Sequence, residues 1–201
     1  MADDDEAHDA VHAWLAREGA HNDFVAWAQA YGGDVVALWQ ACPRGDWLLA
    51  LASRLRAPGR VLVLAACRCA QGALDHLPPE QASVGECLEA LGAWAEGAAP
   101  SLGIEQVEGM RAQLERARDE AVDAAHAEAA LAAIAALETL GDPAFAASAA
   151  AFAAQATMVS AADCAMLEAL RFAQHHSADA VRAALPSSAI AALWSQRRAL
   201  A

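Results

Sequence analysis

The sequence predicts an all-α fold, a compact antiparallel helical bundle or stacked helical-hairpin array that is rich in alanine. Three observations predict it. Hydrophobic residues make up 57% of the 201 positions, yet mean hydropathy is only +0.21, because alanine supplies most of the apolar count. Alanine is also the strongest helix former, since it loses no side-chain entropy on folding. Residues that prefer strand are scarce: aromatics are 5%, and isoleucine and threonine are rare. Finally, apolar side chains recur three and four apart between glycine and proline breaks. A chain of this length buries one substantial core. A single domain over 1–201 is expected, with 1–97 and 103–201 as candidate sub-halves.

The elements follow in order. The acidic leader Asp3, Asp4, Asp5 and Glu6 favours a helix N-terminus through the macrodipole, and Val11, Trp14 and Leu15 continue a helix that Gly19 ends. Asn22 or Asp23 is expected to cap a second short helix carrying Phe24, Val25 and Trp27, stopped by Gly32 and Gly33. Asp34 restarts the chain, with Val35, Leu38 and Trp39 inward. Pro43 suits the first turn of the following helix, whose stripe is Trp47, Leu48, Leu51 and Leu55. After the Ala57-Pro58-Gly59 turn, residues 60–77 are apolar almost all round, and Arg68, Gln71, Gly72 and Asp75 share one narrow arc. That segment is expected to be the central helix.

Pro78-Pro79-Glu80 opens a helix burying Val84, Cys87, Leu88, Leu91 and Trp94, and residues 97–103 form the clearest break. Residues 104–140 read as one long helix or two nearly continuous ones. Val107, Met110, Leu114, Ala117, Ala121 and Ala124 form a coiled-coil-like seam there, with Arg111–Glu115 and Arg116–Glu120 as surface pairs. Asp142 caps a helix with Phe145, Phe152 and Met158; Ser160 or Asp163 starts another that ends near His175 and His176. Short helices around Val181 and Trp194 close the chain.

Charge narrows the function classes. The net charge is −13, and all 13 basic residues are arginine. Such a surface repels nucleic acid and anionic lipid and is compatible with a basic protein partner. The start has no signal-peptide pattern, and the apolar stretch 144–154 is too short to span a bilayer. Five cysteines in irregular spacing do not make a disulfide framework. A reduced, cytoplasmic setting is expected.

Chemistry-bearing constellations are weak. Cys67 and Cys69 lie about 200° apart on a helix and cannot share one ion, so they read as buried thiols. His8 and His12 could face one metal, but no third ligand at helical spacing completes the set. Glu18 and His21 match one Glu-x-x-His of the helical di-iron type, which requires two such motifs and two further glutamates; no second copy exists and Gly19 interrupts the helix between them. Nucleophile elbows, glycine-rich phosphate loops and dinucleotide fingerprints are absent from the sequence. No catalytic residue, cofactor or metal ligand is therefore assigned.

One stretch is more specific. Trp39-Gln40-Ala41-Cys42-Pro43-Arg44-Gly45-Asp46-Trp47-Leu48-Leu49 is followed by Ala65-Ala66-Cys67-Arg68-Cys69-Ala70, then by Trp94-Ala95-Glu96-Gly97 and alanine-rich helices. Over roughly residues 34–175 this resembles a family of bacterial immunity proteins associated with polymorphic toxins, typified by a W-x-x-C-x-R-x-D-W-L element. The resemblance implies a non-catalytic protein that binds and neutralises a cognate toxin domain, basic in character and in many such systems a nuclease. It implies no direct nucleic-acid or membrane contact, and a monomer or homodimer.

Within the motif, Trp39 and Trp47 are expected to pack together in the core, and Arg44 with Asp46 to fix the helix junction. Partner contacts are expected from Asp34, Arg44, Asp46, Glu105, Glu108, Glu115, Asp119 and Glu120. The competing readings are a helical scaffold or regulatory adaptor using the 107–124 seam, and a metal-dependent helical enzyme using His8, His12, Glu18 and His21.

Overall fold

The structure, a computed structural model, describes residues 10–99 and 101–200. It is all-α, as the sequence predicts. The first four helices are α1 Val11–Arg17, α2 Asn22–Ala28, α3 Val35–Ala41 and α4 Gly45–Arg54. They are followed by α5 Gly59–Gln71, α6 Ala82–Ala95, α7 Ile104–Asp119 and α8 Ala124–Glu138. The last three are α9 Phe145–Ser160, α10 Met166–Ala184 and α11 Ser187–Ala199. The acidic leader and His8 lie outside the described residues.

Helix α5 is central, touching α4, α6, α8, α9 and α10, while α9 packs against α4, α5, α8 and α10. The contact between α8 and α9 is built from alanine: Ala129, Ala130, Ala133 and Ala136 on one helix, Ala146, Ala149, Ala150 and Ala153 on the other, all buried. Short side chains allow the axes to approach closely. Larger residues concentrate in the first half, where Trp14, Phe24, Leu38, Trp39, Leu48 and Leu51 are buried. The core draws on residues from both sides of the 97–103 break. Helix α11 returns over α3, and Trp194 meets Trp14 edge-on at 5.2 Å.

Several local expectations are corrected. His21, rather than Asn22 or Asp23, caps α2: its Nδ1 accepts the Asp23 amide at 3.2 Å. Pro43 falls before the Arg44 cap of α4 and is not in its first turn. The central helix stops at Gln71 and continues as the 3-10 turn Leu74–His76, because Leu77 is held extended before Pro78.

Residues 104–140 form a hairpin. Asp123 is extended and its carboxylate accepts the His126 amide at 2.8 Å, starting α8 afresh. His126 holds the turn from the other side, accepting from the Val122 amide at 3.3 Å and meeting Gln81 Oε1 at 2.7 Å. Met110, Leu114 and Ala117 of the seam are buried inside this molecule, as α7 packs on α8. Arg111 pairs with Glu138 across the hairpin rather than with Glu115. His175 and His176 lie inside α10, which runs on through Val181. Its next residue, Ser177, bonds back to the Ala173 carbonyl at 2.9 Å.

Candidate functional site

The 39–49 element divides into a buried anchor and a surface groove. Trp39, Cys42 and Gly45 form the anchor, all buried. A Cβ on Gly45 would lie 2.5 Å from Ser177 Cβ and 2.7 Å from the Ser177 carbonyl carbon. Helices α4 and α10 therefore touch backbone to backbone, and only glycine fits. Arg182 of α10 completes the joint. Its Nε donates to the Trp39 carbonyl at 3.1 Å and its Nη2 to the Cys42 carbonyl. These are the carbonyls that a helix C-terminus leaves without intrahelical partners. Arg182 also pairs with Asp179 at 3.0 Å.

Trp47 does not meet Trp39. It is half-buried and stacks on Phe24, with ring centroids 5.1 Å apart and Trp27 at 5.8 Å, while Trp27 meets Tyr31 at 4.7 Å. The reason is helical geometry: Leu48, Leu49 and Leu51 take the inward arc of α4, leaving Trp47 at its edge. Arg44 lies over the Trp47 ring at 4.3 Å and forms a forked ion pair with Asp46, at 2.6 and 3.1 Å. As expected, this pair marks the junction into α4.

Arg44, Asp46 and Trp47 line a groove of about 690 Å³, within the size range of binding clefts. The α1–α2 corner supplies Glu18, His21, Asp23 and Phe24; α4 adds Ala50, Ser53 and Arg54; Ala144, Ala147, Ser148 and Ala151 form the opposite wall at the start of α9. Arg54 is committed to the fold. It donates to the carbonyls of Glu18 and Gly19, each at 3.2 Å, and of Ala50 at 3.1 Å. This fastens the corner where Gly19 adopts a left-handed φ of 68°. Glu18 accepts from the Trp14 indole at 3.2 Å, and His21 caps α2. Both have structural jobs, and among the described residues no group of three His, Cys, Asp or Glu is placed to hold a metal ion.

The other expected partner residues are scattered. Asp34 is exposed and caps α3, accepting from the Val36 and Ala37 amides at 3.0 and 2.9 Å. Glu105, Glu108, Glu115 and Asp119 share one face of α7, spread over about 80° of the helix wheel. Asp119 takes Arg118 at 2.7 Å. Glu105, Glu108, Glu115 and Glu120 have no ion pair among the described residues. Exposed apolar residues flank the row, Ile104 (79% accessible) at its start and Val122 (84%) beyond its end. Arg44 and Asp46 lie together on the groove, away from this row.

Cys42, Cys67 and Cys69 are buried, and burial pushes their thiols up to about 11, 12 and 12. They remain protonated at neutral pH and behave as small apolar groups. Sequence reasoning missed Tyr31, Arg182 and the clustering of Phe24, Trp27 and Trp47. The first three aromatics left a signal, since positions 24, 27 and 31 recur on one helical face.

Comparison with family models, with curated proteins and with solved structures returns no match. The fold and the surface define an all-α protein with an acidic helix face and an aromatic-floored groove. Among the described residues, no helix is long and apolar enough to cross a membrane.

Proposed function

We propose that this chain is a non-catalytic immunity protein that binds and neutralises a basic toxin domain. The observation that carries the reading is the carboxylate row on α7. Glu105, Glu108 and Glu115 face outward or are half-exposed, and none of them has an ion pair among the described residues. Asp119 and Glu120 stand at the helix C-terminus, where the macrodipole opposes negative charge by about 0.3–1 kcal/mol per group. Carboxylates in that position oppose helix stability and suit recognition of a cationic surface. A net charge of −13 steers a basic partner into encounter and makes association sensitive to salt. Covering a cationic active site neutralises a toxin without any chemistry by the binder.

The test is co-expression with the product of the adjacent gene. The neighbour should arrest growth alone and be silenced by this chain. The double change Glu105→Arg and Glu108→Arg should slow complex formation at low salt and weaken protection. A harmless neighbour, or full toxicity with this chain present, rejects the reading.

A further inference from the structure

The groove between α2, α4 and α9 has a charged rim in which carboxylates outnumber arginines three to two, an aromatic floor and a wall of small residues. Phe24 and Trp47 form its floor, and Trp27 and Tyr31 extend the same run of rings. The chain holds six tryptophans, four phenylalanines and one tyrosine. Three tryptophan or tyrosine rings of this cluster, those of Trp27, Tyr31 and Trp47, are only half-buried, beside Arg44. Half-buried tryptophan, tyrosine and arginine in one place are the composition of an interface hot spot.

The opposite wall is a helix face left without a partner. Ala144, Ala147, Ser148 and Ala151 stand at i, i+3, i+4 and i+7 of the α9 start, and each is exposed or half-exposed. Elsewhere the alanines of α9 are covered by neighbouring helices; here the same small side chains leave space open. A helical segment entering a groove reads it through this spacing.

Charge selects the occupant. Both groove arginines are committed, Arg54 to three main-chain carbonyls and Arg44 to Asp46. The Asp23 carboxylate is 77% accessible and has no arginine partner among the described residues. Glu18 accepts one indole hydrogen bond through Oε1. Three carboxylates, Glu18, Asp23 and Asp46, line the groove against two arginines, which leaves it with a negative balance on a chain of net charge −13. We propose that the groove docks an amphipathic segment of a partner protein, with its apolar face on Trp47 and the alanine wall and its lysine or arginine side chains on Glu18 and Asp23. The inference rests on the reading that this protein acts by binding another, and adds a second, apolar contact to the α7 row.

The full chain, labelled with nitrogen-15, is titrated with a leucine-lysine amphipathic helical peptide and with its leucine-glutamate counterpart. The lysine peptide should shift amide resonances in α2, in α4 and in the first half of α9, and the glutamate peptide should leave them still. Ser148→Arg, which fills the groove with a cation, and Asp23→Arg, at an exposed position, should each weaken peptide binding about tenfold. Glu168→Arg, at an exposed position of α10 outside both surfaces, should change it by less than about twofold. Shifts confined to α7, or undiminished binding by both groove variants, overturn the proposal. Co-expression separates the two ideas. If wild-type and both groove variants protect equally from the neighbouring toxin, the groove is rejected and the immunity reading stands. If the wild-type does not protect, the immunity reading falls and the peptide titration alone decides the groove.

Discussion

Replacing Gly45 with alanine tests the joint between α4 and α10 directly. The new Cβ would lie 2.5 Å from Ser177 Cβ, 2.7 Å from the Ser177 carbonyl carbon and 3.0 Å from the Ala178 nitrogen. Carbon atoms rest at about 3.5–4.0 Å, so the two helices must part by roughly 1 Å. Nothing can rotate aside, because the opposing atoms are backbone and a Cβ. Overpacking of this kind costs about 1–3 kcal/mol. The helix propensity of alanine over glycine returns at most about 1 kcal/mol. Separation of the helices also loosens the Cys69 thiol contact to the Ser177 carbonyl at 3.7 Å and the Arg182 bonds to α3.

A net loss of about 1–2 kcal/mol lowers the melting temperature by roughly 2–8 °C for a domain of this size. Calorimetry and urea titration measure it. Gly109→Ala is the control: it lies exposed in α7, nothing would touch its Cβ within 4 Å, and it should raise stability by about 0.5–1 kcal/mol. Adding Ser177→Gly to Gly45→Ala removes the 2.5 Å clash but not the 2.7 Å one, so recovery should be partial. A Gly45→Ala protein that melts at or above the wild-type temperature refutes the close-approach argument.

Arg182→Met keeps the aliphatic stem and removes the donors to the Trp39 and Cys42 carbonyls; it should cost about 1.5–3 kcal/mol in urea unfolding, with Arg182→Lys intermediate. In the native protein at pH 8, a thiol reagent should react rapidly with exposed Cys164 and slowly with buried Cys42, Cys67 and Cys69. Burial pushes the folded thiols up to about 11 for Cys42 and about 12 for Cys67 and Cys69, above the ordinary thiol value of about 8.5. The unfolded chain therefore releases these protons first as pH rises. Stability should fall from about pH 9 upward through the folded values, and chemical unfolding at successive pH values checks the sign. Glu120→Gln should raise stability by a few tenths of a kcal/mol, because it removes a charge opposed by the α7 dipole. Thermal melts at low salt read this, and an unchanged or lower melting temperature contradicts it.

Much of the helix pattern was legible because it depends on neighbours in sequence. Gly19 ended α1, Asp34 capped α3, and the apolar run after Pro58 became the helix at the centre of the fold. The misses arose where local propensity was nearly neutral. An alanine-rich run does not announce where it turns, so the sequence makes 104–140 almost continuous, and only the structure shows Asp123 as a cap. Likewise α10 passes through His175 and His176 because its packing on α4, α5 and α9 outweighs any local stop. The candidate contacts were legible only in kind: acidic residues on α7 are visible as a helical face, but the groove is assembled from three helices and the corner that precedes α2.

By itself, then, the sequence determined an acidic, all-helical chain, the order of most helices, and the prominence of the 39–49 element. These follow from alanine's helix propensity, glycine and proline breaks, and summed charge, none of which needs a distant partner. Only the tertiary structure decided what the 39–49 element does. Gly45 must be glycine because of Ser177, and the end of α3 is satisfied by Arg182, each more than 130 residues away. Trp47 turned away from Trp39 because three leucines of α4 occupy the inward arc. Close approach and hydrogen-bond satisfaction are properties of surfaces brought together by folding, and no periodicity along the chain encodes them.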